Sequence, residues 1–264
     1  MIKHFLKLVD RLILGRSISK TKNFLQKKIQ LKKLKKEVFN SQIVYSHKNN
    51  LFSSLCDKFG TDKGFIDLKK RIFYNNYHPH NYADIYSLLF DHCRHDFKNI
   101  LELGIGTNNP NLASSMGKKY KPGSSLRALK AYFTKANVFG ADIDDSILFE
   151  EERISTFYVD QLNPASISKM WNEVGNIQMD LIIDDGIHTL EGCKMFFDNS
   201  IENLREGGVY IIEDVDPIFL IELYNYFKKK KYNVSIIKLN SSKHNLLDDN
   251  NLIKKNKNLN ELSK

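Results

Sequence analysis

The sequence predicts a doubly wound α/β fold, a mostly parallel sheet preceded by a helical arm. Two observations lead there. Between residues 99 and 239, short apolar runs alternate with stretches of helical period. That alternation is the pattern of a parallel sheet with helices on both faces. The chain has 264 residues, 42% hydrophobic and 11% aromatic, enough to bury the core such a sheet needs.

Residues 1–40 form the arm. Ile2, Phe5, Leu6, Val9, Leu12 and Ile13 fall at helical spacing, with Lys3, Lys7 and Arg11 elsewhere on the wheel. Phe24, Leu25, Ile29, Leu31, Leu34 and Val38 continue a looser helical pattern. Such a basic amphipathic arm can pack on its own domain, on a second copy of the chain, or on an anionic membrane surface. The catalytic-size domain is expected over 41–264. Its first helix is read over 82–95, where Tyr82, Ile85, Tyr86, Leu89 and Phe90 share a side. Asn99–Leu103 is the first strand, and Ser124–Phe133 a helix capped by Ser124. Ala136–Ile143 and Thr156–Val159 are strands, Pro164–Glu173 a helix, and Met179–Ile183 a strand. Thr189–Leu204 reads as a helix stopped by Gly207-Gly208. Val209–Ile212 is a strand, Ile218–Lys230 a helix and Asn233–Leu239 a strand. A final strand would fall at Asn251–Ile253, which is short and is followed by Lys254-Lys255.

The formal net charge of +9 suggests nucleic acid until it is located. Residues 1–40 carry 12 basic and 2 acidic residues, and residues 227–264 carry 10 and 3. The middle, 41–226, carries 18 basic against 26 acidic residues, a net of −8. A basic groove across the fold is therefore not expected, and no basic-aromatic interleaving suited to stacking bases is present. Cys56, Cys93 and Cys193 have no paired spacing, which argues against disulfides and thiolate zinc and for a reducing compartment. No apolar run reaches 18 residues, and the N-terminus lacks the apolar stretch of a signal peptide. The expected location is cytoplasmic, with peripheral contact at the inner membrane open to the arm.

In doubly wound sheets ligands bind beyond the carboxyl ends of the strands. After the first strand comes Glu102-Leu103-Gly104-Ile105-Gly106-Thr107. A dinucleotide fingerprint would place a third glycine at 109, where Asn109 stands. Glu102 before the turn suits a cationic or hydroxyl-bearing ligand better than a phosphate. Asp142 ends the second strand, where an acid can accept both ribose hydroxyls, and Asp160-Gln161 after the third suits an adenine amino group. A calcium loop starting at Asp142 fails, since Arg153 stands at its twelfth position. Asp184-Asp185-Gly186-Ile187-His188 and Glu213-Asp214 follow the next two strands. Carboxylates gathered in a small cleft repel one another. A divalent cation, Mg²⁺ first, then Mn²⁺ or Ca²⁺, is the simplest stabiliser of oxygen ligands. His188, three residues past Asp185, is within reach of whatever that cation holds and reads as a general base.

These residues form an ordered set that resembles the class I S-adenosylmethionine-dependent methyltransferases, whose fold is Rossmann-like. The set comprises Leu101–Thr107, Val138–Ile143, Val159-Asp160-Gln161 and Glu206–Asp214. The likeness covers about residues 55–240. A narrower resemblance, to the macrolide deoxysugar O-methyltransferases and their cephalosporin-hydroxylase-like relatives, rests on four more segments. They are Phe59-Gly60-Thr61-Asp62-Lys63, His80-Asn81-Tyr82, Pro122–Arg127 and Asp184–His188. It implies metal-dependent methyl transfer from S-adenosylmethionine to a sugar hydroxyl. By motif, Asp185, Glu213 and Asp214 would hold the metal. His188 and Asp185 would be catalytic. Glu102, Gly104, Gly106, Ser125, Asp142, Asp160, Gln161 and Asp184 would form the cofactor shell. Thr61, Asp62, Lys63, His80 and Tyr82 would meet the substrate.

The expected acceptor is a sugar or nucleotide sugar of bacterial capsule or surface polysaccharide, with no nucleic acid as partner. A phosphate derivative of such a polysaccharide or a catechol-like small molecule is the alternative within the same chemistry. A nicotinamide oxidoreductase shares the fold but not the glycine pattern. An RNA- or membrane-binding module would use only the basic ends. Two departures from the family stand out. Glu102 and Asp142 lie 40 residues apart, against about 20 in a simple mononucleotide unit. The excess is the Asn108–Gly123 loop, read as part of the site wall. The last strand is the second departure.

Overall fold

The structure, a computed structural model, describes residues 50–64, 80–112, 115–118, 120–237 and 239. The arm over 1–40 and the candidate strand at Asn251–Ile253 lie outside these residues. The chain divides into two compact units at Asp214/Val215.

The larger unit begins with α1 (Leu51–Phe59) and α2 (Tyr82–Phe90), then β1 (Asn99–Leu103), α3 (Ser124–Tyr132) and β2 (Asn137–Asp142). It continues with β3 (Glu150–Glu151), β4 (Ile154–Tyr158), α4 (Pro164–Val174), β5 (Met179–Asp184), α5 (Leu190–Asp198) and β6 (Leu204–Ile212). The six strands lie in the order β3-β4-β2-β1-β5-β6. Every pairing is parallel except β3 with β4. The sheet winds outward in both directions from β1, so the crevice such folds use falls at the ends of β1 and β5.

Successive strand residues point to opposite faces, and two cores result. Ile100, Val138, Ile154, Leu181 and Ile183 join Phe52, Tyr86, Phe90, Leu126, Leu129 and Tyr132 under α1, α2 and α3. Leu101, Leu103, Ala141 and Ile182 join Ile167, Met170, Trp171 and Phe196 under α4 and α5. The doubly wound sheet is thus the predicted one. Local chemistry sets the helix ends. Asn50 accepts the Ser53 amide at 2.7 Å, and Gly60, at φ 81°, closes α1. Asn163 caps α4 with Pro164 in its first turn, and Thr189 caps α5 through the Gly192 amide.

Some element readings are corrected. Ser124 is the first helical residue of α3 rather than its cap; Gly123, at φ 72°, holds that place, and the Ser124 hydroxyl donates to Lys121 O. The first predicted helix stops at Phe90, because three-residue turns close from Cys93 to Phe90 and from Asp96 to Cys93. α5 stops at Asp198, where the Asn199 side-chain amide takes Met195 O at 2.8 Å. Gly207-Gly208 therefore stops no helix. The pair lies inside β6, where Leu204 to Val209 faces only Met179 to Leu181. The surplus residues bulge out, with Gly207 at φ 73°.

The smaller unit's described residues carry α6 (Leu220–Lys229), entered by a turn in which Asp216 accepts the Ile218 amide. Asn233–Ile237 and Leu239 form no strand. Their alternation is strand-like, but no ladder partner pairs with them among the described residues, and a strand is defined by its partner.

Candidate active site

Four neighbouring strand ends, those of β2, β1, β5 and β6, are tied to one another by backbone bonds. Asp185 N–H donates to Leu103 O, Glu213 N–H to Asp184 O, and Gly104 N–H to Ala141 O, at 2.8 to 3.0 Å. Gly104 makes the closest approach. Its φ is 83°, and a Cβ there would lie 2.1 Å from Asp185 O.

Lys63 reaches this junction from the loop after α1. Backbone bonds from Thr61 to Cys56, from His80 to Asp62 and from Ala83 to Lys63 tie the loop to α1 and α2. Lys63 is 2% exposed. Its ammonium donates to Asp185 Oδ2 at 2.7 Å and to Glu213 Oε2, and lies 3.1 Å from Glu102 Oε1, outside hydrogen-bond alignment. The other oxygens are also engaged: Tyr86 Oη donates to Glu213 Oε1 and Ser125 Oγ to Glu102 Oε2. Burying an unpaired ammonium would cost several kcal/mol. Burial does pull the Lys63 pKa down, but Asp185, Glu213 and Glu102 outweigh it and hold it well above the lysine range. Burial pushes Glu102 and Glu213 up, with Lys63 pulling the other way.

A second cluster flanks the first. Tyr82 Oη donates to Asp214 Oδ1 and accepts the Asp214 amide at 2.9 Å. His80 stacks flat on Tyr82, ring centroids 5.3 Å apart, with Nδ1 3.1 Å from Asp214 Oδ1 and Nε2 3.5 Å from Asp62 Oδ2. Burial alone would lower the His80 pKa, but the bonds to Asp214 and Asp62 outweigh it and raise it to about 10. Burial likewise pushes Asp214 up, yet His80 and Tyr82 bring it down to about 2. One donor atom each from Asp185, His188 and Asp214 lie within 4.8 Å of one another. His188 and Asp214 hold left-handed φ values of 54° and 49° without being glycine, the kind of strain that gathers at functional sites.

On the other flank Asp142 is buried, accepting the Ile105 amide at 2.9 Å and the Asp144 amide at 3.0 Å. Gln161 donates to Asp184 Oδ1 and accepts the Ile187 amide, so its side chain bridges two strand ends. Asp160 accepts the Leu162 amide. Burial pushes Asp184 up to about 7, and its Oδ2 is buried without a hydrogen bond. A Cβ on Gly106 would lie 2.4 Å from the Tyr120 ring.

The structure thus brings Asp185, His188 and Asp214 together, with Asp62, His80 and Tyr82 beside Asp214. Glu213 stands behind them on Lys63 and Tyr86. Thr61 and Lys63 are turned inside, each 2% exposed. Sequence reasoning missed Tyr86, read only as a core residue, and three exposed apolar residues that follow strand ends, Ile143, Leu162 and Ile187. These three are 51%, 41% and 47% exposed, each just beyond a strand end. For Ile143 the signal was available: an apolar residue directly after the strand-end acid Asp142.

No family model matches the chain. It is 32% identical over 140 residues to 8-demethyl-8-alpha-L-rhamnosyl tetracenomycin-C 2'-O-methyltransferase of Streptomyces olivaceus, covering 53% of this chain and 34% of that protein. It is 32% identical over 137 residues to demethylmacrocin O-methyltransferase of Streptomyces fradiae, covering 52% and 32%. Mycinamicin VI 2''-O-methyltransferase of Micromonospora griseorubida is 30% identical over 132 residues, covering 48% and 30%.

The chain is similar to these sugar O-methyltransferases over about half of its own length.

It spans about a third of their length. Among solved structures, the mycinamicin-pathway methyltransferase MycE with Mg and S-adenosylhomocysteine (SAH) is similar in fold. The TM-score is 0.52 at 23% identity, over 74% of this chain and 48% of that one. The sheet order is consistent with the Rossmann-like fold of class I methyltransferases.

Proposed function

We propose that this sugar O-methyltransferase relative moves a methyl group from S-adenosylmethionine to a sugar hydroxyl with the help of a divalent cation. The observation that carries the reading is the Asp185, His188 and Asp214 group gathered beyond the strand ends, with Asp142 at the end of β2. Asp142 at the end of β2 would accept the ribose hydroxyls, and Ile143, Leu162 and Ile187 offer apolar faces for adenine. Glu102, Gly104, Gly106, Ser125, Asp160, Gln161 and Asp184 would shape the rest of the cofactor site.

Two carboxylates at one point suit Mg²⁺, which keeps several waters and takes few protein ligands. Asp185 and Asp214 would hold it, with Glu213 close behind. When bound, such a cation lowers the pKa of an alcohol and orients its oxygen. His188 then takes the hydroxyl proton while the oxygen forms its bond to the methyl carbon and the carbon–sulfur bond breaks. The charge His188 gains faces Asp185 and Asp214. Asp62, His80 and Tyr82, on the accessible rim, would meet the sugar. The acceptor belongs to bacterial surface polysaccharide or its nucleotide-sugar precursors, and the basic arm would bring the enzyme to an anionic membrane or to a second copy.

The test is incubation with S-adenosylmethionine, Mg²⁺ and a panel of nucleotide sugars, read as a mass gain of one methyl. His188→Ala should lower turnover about 10²–10⁴-fold while cofactor binding persists. Full activity of chelator-treated protein would sink the cation's role, and no product from any sugar would sink the acceptor class.

A further inference from the structure

We propose that Lys63 is a positioning residue for the cation site, fixing which oxygen of Asp185 is left for a divalent cation. The inference rests on the cation reading above. Lys63 cannot act as a surface contact, being 2% exposed. Its ammonium takes Oδ2 of Asp185 at 2.7 Å and Oε2 of Glu213, while Glu102 Oε1 stands 3.1 Å away. These three acids come from the ends of three adjacent strands, β1, β5 and β6. One buried charge therefore ties three strand ends at a single point.

A carboxylate free to rotate presents either oxygen to a cation. Asp185, with Oδ2 held, presents Oδ1. The holder is itself held: the loop is bonded to α1 through Thr61, to α2 through Lys63 O, and to His80 just ahead of α2 through Asp62 O. A Cβ on Gly64 would lie 2.6 Å from Cys56 Cβ, so the loop sits hard against α1. Asp214 is treated the same way, its Oδ1 taken by Tyr82 and His80. Each of the two carboxylates thus has one oxygen fixed by the protein. Partners that orient ligands in this manner are typically worth about 10–100-fold in metal affinity.

A competing role makes the opposite prediction. If Lys63 only neutralised the acids, it would contend with the cation for Asp185, and its removal would tighten binding. The experiment is Mn²⁺ titration of the full chain followed by electron paramagnetic resonance, with Lys63→Met beside the unaltered protein. Circular dichroism and a melt establish that the variant is folded. Expected is a Kd about 10–100-fold weaker in K63M. Equal or tighter binding by folded K63M overturns the positioning role and leaves the cation reading standing. No Mn²⁺ binding by the unaltered protein overturns both. If K63M does not fold, a crystal structure of the unaltered protein with Mn²⁺ decides. Asp185 bound through Oδ1, with Lys63 still on Oδ2, supports the role; Lys63 displaced from Asp185 overturns it.

Discussion

Gly104 bears directly on where Asp185 stands, because its backbone packs against the Asp185 carbonyl. A side chain there meets two separate penalties. Left-handed φ costs a non-glycine residue about 1–2 kcal/mol, and a Cβ would sit 2.1 Å from Asp185 O. Gly104→Ala can fold only if the β5 turn moves away, taking Asp185 with it. The expected result is a loss of at least about 1–3 kcal/mol in urea unfolding and weakened Mn²⁺ binding by the protein that remains folded. A variant with native stability would show that the close approach is not required. His188 and Asp214 take left-handed φ without the excuse of glycine, which only a structure could reveal. Lys63 was equally hidden. Its sequence neighbourhood reads as an ordinary polar loop, and its counter-charges lie up to 150 residues away.

At the scale of elements, the sheet has an anchor at the end opposite the site. Asp180 in β5 accepts the amides of Lys98 and Asn99 at 2.6 and 2.9 Å and the Arg205 guanidinium at 2.5 Å, joining β1, β5 and β6. Burial pushes its pKa up, but these donors outweigh it and hold it below the usual aspartate range. A folded pKa below the unfolded one means that the carboxylate stabilises the fold above the unfolded pKa. That stability is lost as pH falls through the folded pKa. Asp180→Asn should therefore cost about 1–3 kcal/mol near pH 7. The gap from the unaltered protein should close as pH drops below about 3.9, the unperturbed aspartate value. Chemical denaturation at both ends of that range checks it, and a gap independent of pH would refute the charge argument. The strands themselves were legible from apolar runs, and helices α4 and α6 were read to within two residues at each end. What failed was punctuation. Gly207-Gly208 reads as a helix stop by local chemistry, and only its pairing against Met179–Leu181 makes it a bulge. The 233–239 stretch has the alternation of a strand without a partner, and pairing is not written in a single segment.

For the whole molecule, the charge map and the site point the same way. The net charge of +9 resides in residues 1–40 and 227–264, outside the residues that form the site, while 41–226 is net −8. An acidic crevice favours a ligand with positive charge and hydroxyl groups, as S-adenosylmethionine has, over a nicotinamide dinucleotide with its two phosphates. The doubly wound sheet alone does not separate these cofactors. The strand-end residues do: Asn109 replaces the third glycine of a dinucleotide turn, and Glu102 is buried at the end of β1. A ligand that binds only the folded chain stabilises it by about 2.7 kcal/mol at one hundred times its Kd. For a domain of this size that is worth about 2–4 °C in Tm per kcal/mol. S-adenosylmethionine at saturating concentration should therefore raise Tm by several degrees, whereas NADH at the same concentration should leave it unchanged. The reverse pattern would assign the crevice to a dinucleotide and remove the basis for methyl transfer.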